Sequence, residues 1–349
     1  MKLGDILVIQ EKSKIKAGDG IDNGNFPFFT CSNDVVKTYN SAQYKGPALI
    51  FGTGGKASVH FCSEDFSTST DCLVYKTNKD VNLSLINKYL RTNMYLLENG
   101  FKGAGLKHIS RDYIADIELS LPSFDNQNKF VKIFDLIESN IVNLKGILNK
   151  YDILIKSRFI EMFGDIIQNT KNWELKNFTE IAKSRLGKML DSKKQTGKEK
   201  YPYLANFNVQ WFRFNLENLN EMDFSEADRI EFALKDGDLL VCEGGEVGRC
   251  AVWHNQIENC FFQKAVHRVR LNMDLVHPDY MAYWFKFRSD FNSFDDIVGS
   301  KATIAHLTGE KLKLLKIPVP PLSLQNNFAA FVQQIDKSKF EYTYTGVAA

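Results

Sequence analysis

The sequence predicts an α+β protein made of two tandem β-rich modules, each followed by a helix. Three observations lead there. The same landmarks occur twice in the same order, the segments around them are short and apolar between Gly, Asn and Asp, and a long heptad pattern separates the copies. Asp5-Ile6 and Phe26-Pro27-Phe28 return as Glu180-Ile181 and Tyr201-Pro202-Tyr203. The run Ala48-Leu49-Ile50-Phe51-Gly52-Thr53-Gly54-Gly55 returns as Asp238-Leu239-Leu240-Val241-Cys242-Glu243-Gly244-Gly245, and Leu106-Lys107-His108-Ile109-Ser110 as Ile304-Ala305-His306-Leu307-Thr308. The separation grows from 175 positions at Asp5 to 198 at His108, so the second copy carries longer loops. A period this long excludes a solenoid and means two domains of one fold. At 349 residues each can bury its own core.

Taken in order, residues 1–122 form the first module. Its pattern of short strands is interrupted by one helix, with Ser84 as N-cap, Leu85, Ile86, Tyr89, Leu90, Leu96 and Leu97 on its apolar side, and Gly100 as its end. Residues 123–165 form a central spacer helix. From Gln127 to Met162 there is no Pro and a single Gly, Gly146; Phe134, Ile137, Ile141, Leu144, Leu148, Tyr151 and Ile155 keep a 3-4-3-4 spacing. Those residues make a rod of roughly 54 Å whose apolar seam needs a partner. Residues 173–321 repeat the module, with the matching helix opening at Pro278 and carrying Tyr280, Tyr283, Trp284 and Phe287. The partner of the rod is then the helix over 322–339, with Phe328, Phe331, Val332 and Ile335 on its seam. It is cut short. The tail 340–349, rich in poor helix formers, reads as irregular.

No stretch approaches the length of a membrane span and the amino terminus carries no signal peptide, so the expected location is the cytoplasm. The six cysteines form no Cys-x-x-Cys pair and read as reduced, mostly buried thiols. A net charge of +2 means that a nucleic-acid partner would require the basic residues to be gathered on one face.

Tandem modules, each closing on Pro and a spacer helix, resemble the specificity subunit of type I restriction–modification enzymes. The second copy carries most of it: Glu243-Gly244-Gly245-Glu246-Val247-Gly248-Arg249-Cys250, Gln263-Lys264-Ala265-Val266, Gly299-Ser300 through His306-Leu307-Thr308-Gly309, and Ile317-Pro318-Val319-Pro320-Pro321-Leu322 before Gln325. The first copy keeps Gly52-Thr53-Gly54-Gly55-Lys56 and Leu106 to Ser110. Two departures stand out: nothing before Met1 matches Trp173-Glu174-Leu175, and the second spacer helix is shorter than the family's. The resemblance implies a non-catalytic chain whose modules each read half of a split double-stranded DNA site, its two helices forming an antiparallel coiled coil that fixes the gap. It further implies two docked methyltransferase subunits and a motor-nuclease (restriction) subunit. S-adenosylmethionine, ATP and Mg²⁺ would belong to those partners, and no cofactor or metal to this chain.

The candidate DNA-binding residues cluster at the duplicated landmarks. Gly54-Gly55 and Gly244-Gly245 follow apolar strands, as a tight turn or a loop brought near a phosphate would, with Lys56 or Arg249 alongside. Arg185 and Lys188 lie in a basic stretch with Lys183, Lys193 and Lys194, opposed by Asp191 alone; Lys264, Arg268 and Arg270 alternate along one segment. Lys301 and Thr303 in the second copy correspond to Lys102 and Lys107 in the first. Such cations would supply affinity and a few side chains the sequence choice. His108 and His306 occupy equivalent positions, as a DNA contact or, more simply, as a packed ring holding a loop.

Other chemistry finds little footing. Cys250, His254, Cys260 and His267 match no common zinc spacing. Gly55-Lys56-Ala57 and Gly187-Lys188-Met189 complete no phosphate-binding loop. No Asn/Asp-Pro-Pro-aromatic stretch is present, Pro278-Asp279 lacks the metal-holding companions of a nuclease, and no nucleophilic triad is visible from spacing. The alternatives are a free-standing DNA-binding protein and a single-chain nucleic-acid-modifying enzyme built on the same modules; the second would need a catalytic motif.

Overall fold

A computed structural model describes residues 1–35, 37–191, 195–291, 293–294 and 306–345, the side chains of 341–345 excepted. Packing divides the chain into Met1–Asn143 and Leu144–Ala349.

In the first unit the strands are β1 (Val8–Ile9), β2 (Phe26–Phe29), β3 (Lys37–Tyr39), β4 (Ala48–Gly52), β5 (Ser58–Cys62), β6 (Ser67–Thr68) and β7 (Cys72–Lys76). They form a four-stranded sheet in the order β1-β7-β4-β5 and a three-stranded sheet in the order β3-β2-β6. β4 is buried on both faces. Its alternation sends Leu49 and Phe51 toward the helix-side core with Ile86 and Leu90, and Ala48 and Ile50 toward Phe29 and Phe66 on the other side. The layers are thus helix, sheet, sheet.

The second unit repeats this topology. Its strands are β8 (Glu174–Asn177), β9 (Ala182–Leu186), β10 (Lys200–Leu204), β11 (Val209–Gln210), β12 (Arg213–Phe214), β13 (Asn220–Asp223), β14 (Leu239–Cys242), β15 (Cys250–Val252), β16 (Phe261–Phe262), β17 (Val266–Leu271) and β18 (Lys316–Val319). The sheets run β15-β14-β17-β9 and β13-β10-β16, the orders of the first unit strand for strand. β14 again divides two cores, with Leu239 and Val241 on the helix side and Leu240 and Cys242 beside Phe261 and Phe262. The β11–β12 hairpin lies between β10 and β13 and accounts for part of the growing offset. β18 pairs with β8; in module one the bridge between Lys2 and Glu118 holds this place.

The helix of module one runs Leu83–Thr92, followed by a separate turn at Tyr95–Glu98. Asn82, not Ser84, is its N-cap, accepting from the N–H groups of Ser84 and Leu85. Asn82 suits the position because its own N–H is taken by the Gln127 side chain at 2.9 Å. Its counterpart, Pro278–Asp290, has His277 as N-cap and Pro278 in the first turn.

The central helix is continuous over Phe124–Phe163, 40 residues and about 60 Å. Its last turns belong to the core of the second unit: Ile155, Phe159, Met162 and Phe163 are buried with Phe328, Val332 and Ile335. The C-terminal helix spans Leu322–Thr345, six residues beyond the expected end at 339, so residues 340–345 are helical rather than irregular. Propensity is a weak prior once a helix has formed, and Lys339 bonds to Asp152 at 2.7 Å while Phe340 lines a groove with Leu148 and Lys156. The contacts run in opposite order along the two helices, Asp152 with Lys339, Arg158 over Phe331, Phe159 against Phe328. Earlier in the central helix Phe134, Ile137 and Ile141 are exposed.

Each long helix starts the same way. Gln127 accepts from the Asn82 N–H and donates to the Pro122 carbonyl at 2.9 Å each. Gln325 accepts from the His277 N–H at 2.9 Å and donates to the Leu275 and Pro320 carbonyls at 3.0 and 2.7 Å. Both glutamines are buried, at 3% and 0% exposure, which is tolerable only because the amides are satisfied.

Candidate functional site

The duplicated Gly-Gly pairs form the turns after β4 and β14. Gly55 and Gly245 share a φ of +81°, the left-handed region that favours glycine. The preceding glycine serves a different need in both copies. A Cβ on Gly54 would stand 3.2 Å from the His108 ring, and one on Gly244 3.0 Å from the His306 ring. Each imidazole therefore lies against bare backbone, and the His108 Nδ1 stands 3.1 Å from the Thr53 carbonyl oxygen. Backbone bonds close the contact: Ile109 to Thr53 at 3.1 Å in one module, Leu307 to Glu243 at 2.7 Å in the other. The histidines hold the residues just before a short helix, Arg111–Asp116 in one module and Gly309–Lys313 in the other, against the Gly-Gly turn, and both remain solvent-exposed.

The cations divide into two groups. Lys56, Lys102, Lys107 and Lys264 are exposed, with no side-chain partner among the described residues. Lys56 stands on the first Gly-Gly turn; Lys102 and Lys107 flank it, since Lys102 pairs with His108 and the Lys107 carbonyl accepts from Gly55 at 3.1 Å. Arg185, Lys188 and Arg249 are engaged instead. Arg185 pairs with Glu231 and lies 5.6 Å from the Phe232 ring. Lys188 donates to the Asp223 carbonyl and the Asp228 carboxylate, each at 2.6 Å, over the Phe224 ring. Partial burial opposes ionisation of Asp228, but the bonds from Lys188 and Ser225 outweigh it and hold its pKa below the usual range. Arg249 donates to the Asn206 carbonyl at 3.1 Å and to its side-chain oxygen, with Glu246 at 4.0 Å. Their charge ties loops together. Arg268 and Arg270 are likewise occupied, Arg268 by the Glu231 and Ala233 carbonyls and Arg270 by both oxygens of buried Asp238. Lys193, Lys194, Lys301 and Thr303 lie outside the described residues.

Three side chains absent from the sequence candidates join this surface. Asn206, Glu243 and Gln263 line an open groove of about 670 Å³ with Gly244, Gly245, Lys264 and His306. The available signal is a three-residue gap between two apolar strands, Gln263 to Ala265, equal in length to Ser69 to Asp71. Among the described residues no three His, Cys, Asp or Glu side chains are gathered as metal ligands, and no helix is long and apolar enough to cross a membrane.

Comparison with known proteins agrees with the duplication. The family model described as "Type I restriction modification DNA specificity domain" matches residues 1–164 and again 170–345. The chain is 23% identical over 222 residues to the type I restriction enzyme EcoDI specificity subunit of Escherichia coli, a match covering 62% of this chain and 47% of that protein. It is 20% identical over 329 residues to the putative specificity subunit S.HindORF215P of Haemophilus influenzae, covering 90% and 81%. The solved S subunit of a type I restriction–modification system from M. genitalium superposes with a TM-score of 0.67 over 99% of this chain and 91% of that one, at 12% identity. A chain from a structure of type I R-M complex assembly superposes with a TM-score of 0.53, over 100% and 93% at 13% identity. With nearly its whole length matched by two copies of one domain in one fold, the chain belongs to the type I restriction modification DNA specificity domain family.

Proposed function

We propose that this chain is the DNA-recognition and scaffold subunit of a type I restriction–modification complex. Each module reads one half of a split site, and the long helices set the distance between halves. The supporting observation is the repeated surface: two Gly-Gly turns with the same left-handed second glycine, each held by a histidine and edged by lysines that have no side-chain partner among the described residues, Lys56, Lys102 and Lys107 in one copy and Lys264 in the other. Unpaired cations around a backbone turn suit phosphate contact, which positions a reader on the duplex without specifying sequence.

In this reading the chain carries no catalytic group. Two methyltransferase subunits dock on it and bring S-adenosylmethionine, and a restriction subunit joins with ATP and Mg²⁺, all in the cytoplasm. The test is methylome sequencing of a host expressing this chain with its partner methyltransferase. A bipartite methylated motif that vanishes when this chain is omitted is the expected result. Methylation independent of this chain, or none with it, overturns the proposal.

A further inference from the structure

Lys12, Lys14 and Lys16 lie outside every duplicated landmark, on the segment between β1 and β2. Along Lys12-Ser13-Lys14-Ile15-Lys16 exposed and covered positions alternate: the lysines are exposed, Ser13 is buried and Ile15 is half-buried. That is the period of an extended chain, so the three ammonium groups leave from one side. At about 3.3 Å per residue, neighbouring lysines stand roughly 7 Å apart along the backbone. The covered residues peg the segment in place. The Ser13 hydroxyl donates to the Thr68 carbonyl at 2.6 Å and accepts from the Ile15 N–H at 3.1 Å, while the Ile15 carbonyl accepts from Thr70 at 2.8 Å. The carbonyl of Asp71, next after Thr70, accepts from Thr53 at 2.9 Å, which ties the segment to the Gly54-Gly55 turn. None of the three lysines has a side-chain partner among the described residues. Glu11 and Asp19 flank the run, and the Asp19 carboxylate accepts from the Lys16 N–H at 3.0 Å.

Module two is built otherwise at this place. The Lys264 N–H donates to the Lys188 carbonyl at 2.8 Å as that of Thr70 does to Ile15, so Lys188 holds the position of Ile15. Upstream, Gln10 bonds to Val74 and Arg185 faces Arg268, matching points of the two sheets. Ile15 follows Gln10 by five positions and Lys188 follows Arg185 by three, so module one carries two more residues where its lysines stand. The two cations of module two are neutralised from the short helix Glu226–Glu231, where Glu231 takes Arg185 and Asp228 takes Lys188. That helix stands between β13 and β14; between β3 and β4 module one has none. One module has supplied acids to its cations, and the other leaves them open. A row of open lysines on a fixed backbone, each on a flexible stem, suits successive phosphates of one strand and carries no base information.

Resting on the DNA-reading proposal above, we propose that Lys12, Lys14 and Lys16 are a phosphate-binding rail of module one, on a segment whose described counterpart in module two is neutralised. The test binds the full chain, in complex with its partner methyltransferase, to two duplexes across a range of salt, one with the methylated motif and one without. With Lys12→Ala, Lys14→Ala and Lys16→Ala combined, the slope of log affinity against log salt should be shallower by about two to three units on both duplexes, since three fewer phosphates are neutralised. The methylated motif and the thermal melt stay as in wild type, because the removed groups touch no base and bond to no described side chain. Lys12→Arg, Lys14→Arg and Lys16→Arg combined keep the wild-type slope. An unchanged slope in the alanine variant overturns the rail and leaves the DNA-reading proposal standing. An altered motif overturns it as well, and so does a slope that the arginines fail to preserve, since phosphate contact asks for charge. A wild-type complex that binds neither duplex overturns both proposals.

Discussion

Lys188 and Lys264 are joined through their backbones, yet their side chains have opposite fates. Lys188 is shared between Asp228 and the Asp223 carbonyl, whereas Lys264 is exposed and has no side-chain partner among the described residues. Their alanine variants should separate structure from binding. Lys188→Ala leaves Asp228 short of its cation and should cost about 1–2 kcal/mol of stability near neutral pH. The pH dependence has a definite sign. Asp228 has its pKa lowered from 3.8 in the folded state, so its contribution is present above that value and is lost as pH falls through the lowered folded pKa. Urea unfolding at pH 7 and at pH 3 should therefore show a smaller acid loss in Lys188→Ala than in wild type. In Lys264→Ala the melt should be unchanged, and log affinity for DNA should fall less steeply with log salt, by about one unit of slope. Equal salt slopes for both proteins would return Lys264 to the solvated surface.

At the scale of elements, what was legible in the sequence followed the backbone. Repeated apolar strands, proline closures and the heptad run place the modules and the central helix, because hydrophobic period and chain-breaking residues act locally. The glycines were readable as turns, but Gly54 and Gly244 are required by histidines more than fifty positions away, and no local rule shows that. Side-chain engagement was equally hidden. Arg185 and Arg249 look like free cations in sequence because Glu231 and Asn206 reach them only through the fold. Ser84 reads as a cap because the glutamine that selects Asn82 comes 45 residues later. The paired glutamines carry their own prediction. Replacing Gln127 or Gln325 with Ala leaves a partly buried helix-cap N–H and one or two carbonyls without these partners. Either change should cost about 1–3 kcal/mol, seen as a lower unfolding temperature in the affected module, while Gln127→Glu keeps the acceptor and recovers part of it.

For the whole molecule, the apolar seam of the central helix is the feature with consequences in solution. Along it Phe134, Ile137 and Ile141, neighbours on one helix face, are 41–47% exposed, and covering such apolar side chains is favourable. The isolated chain should self-associate at micromolar concentration, and a docked methyltransferase should suppress this. Light scattering after size exclusion, with and without that partner, measures it. Ile137→Glu with Ile141→Glu should shift the chain toward monomer without altering its melt, since both side chains are already in water. A wild-type chain that stays monomeric alone would remove the seam from consideration.

The glutamine clamps bear also on how such a protein can be recombined. Sequence alone places the end of module one at Pro122, yet the residue that fixes the helix-cap of that module is Gln127, inside the rod, with Asn128 bonded to the Asn82 side chain at 2.8 Å. The ion pairs of Lys88 with Asp135 and Glu138 extend the dependence about three further turns along the helix. A graft cut at the proline would separate a module from its own fastening and attach it to a stranger's. The inheritable cassette is therefore the module together with the opening turns of its rod, through about Glu138, and chimaeras joined beyond that point keep every clamp native.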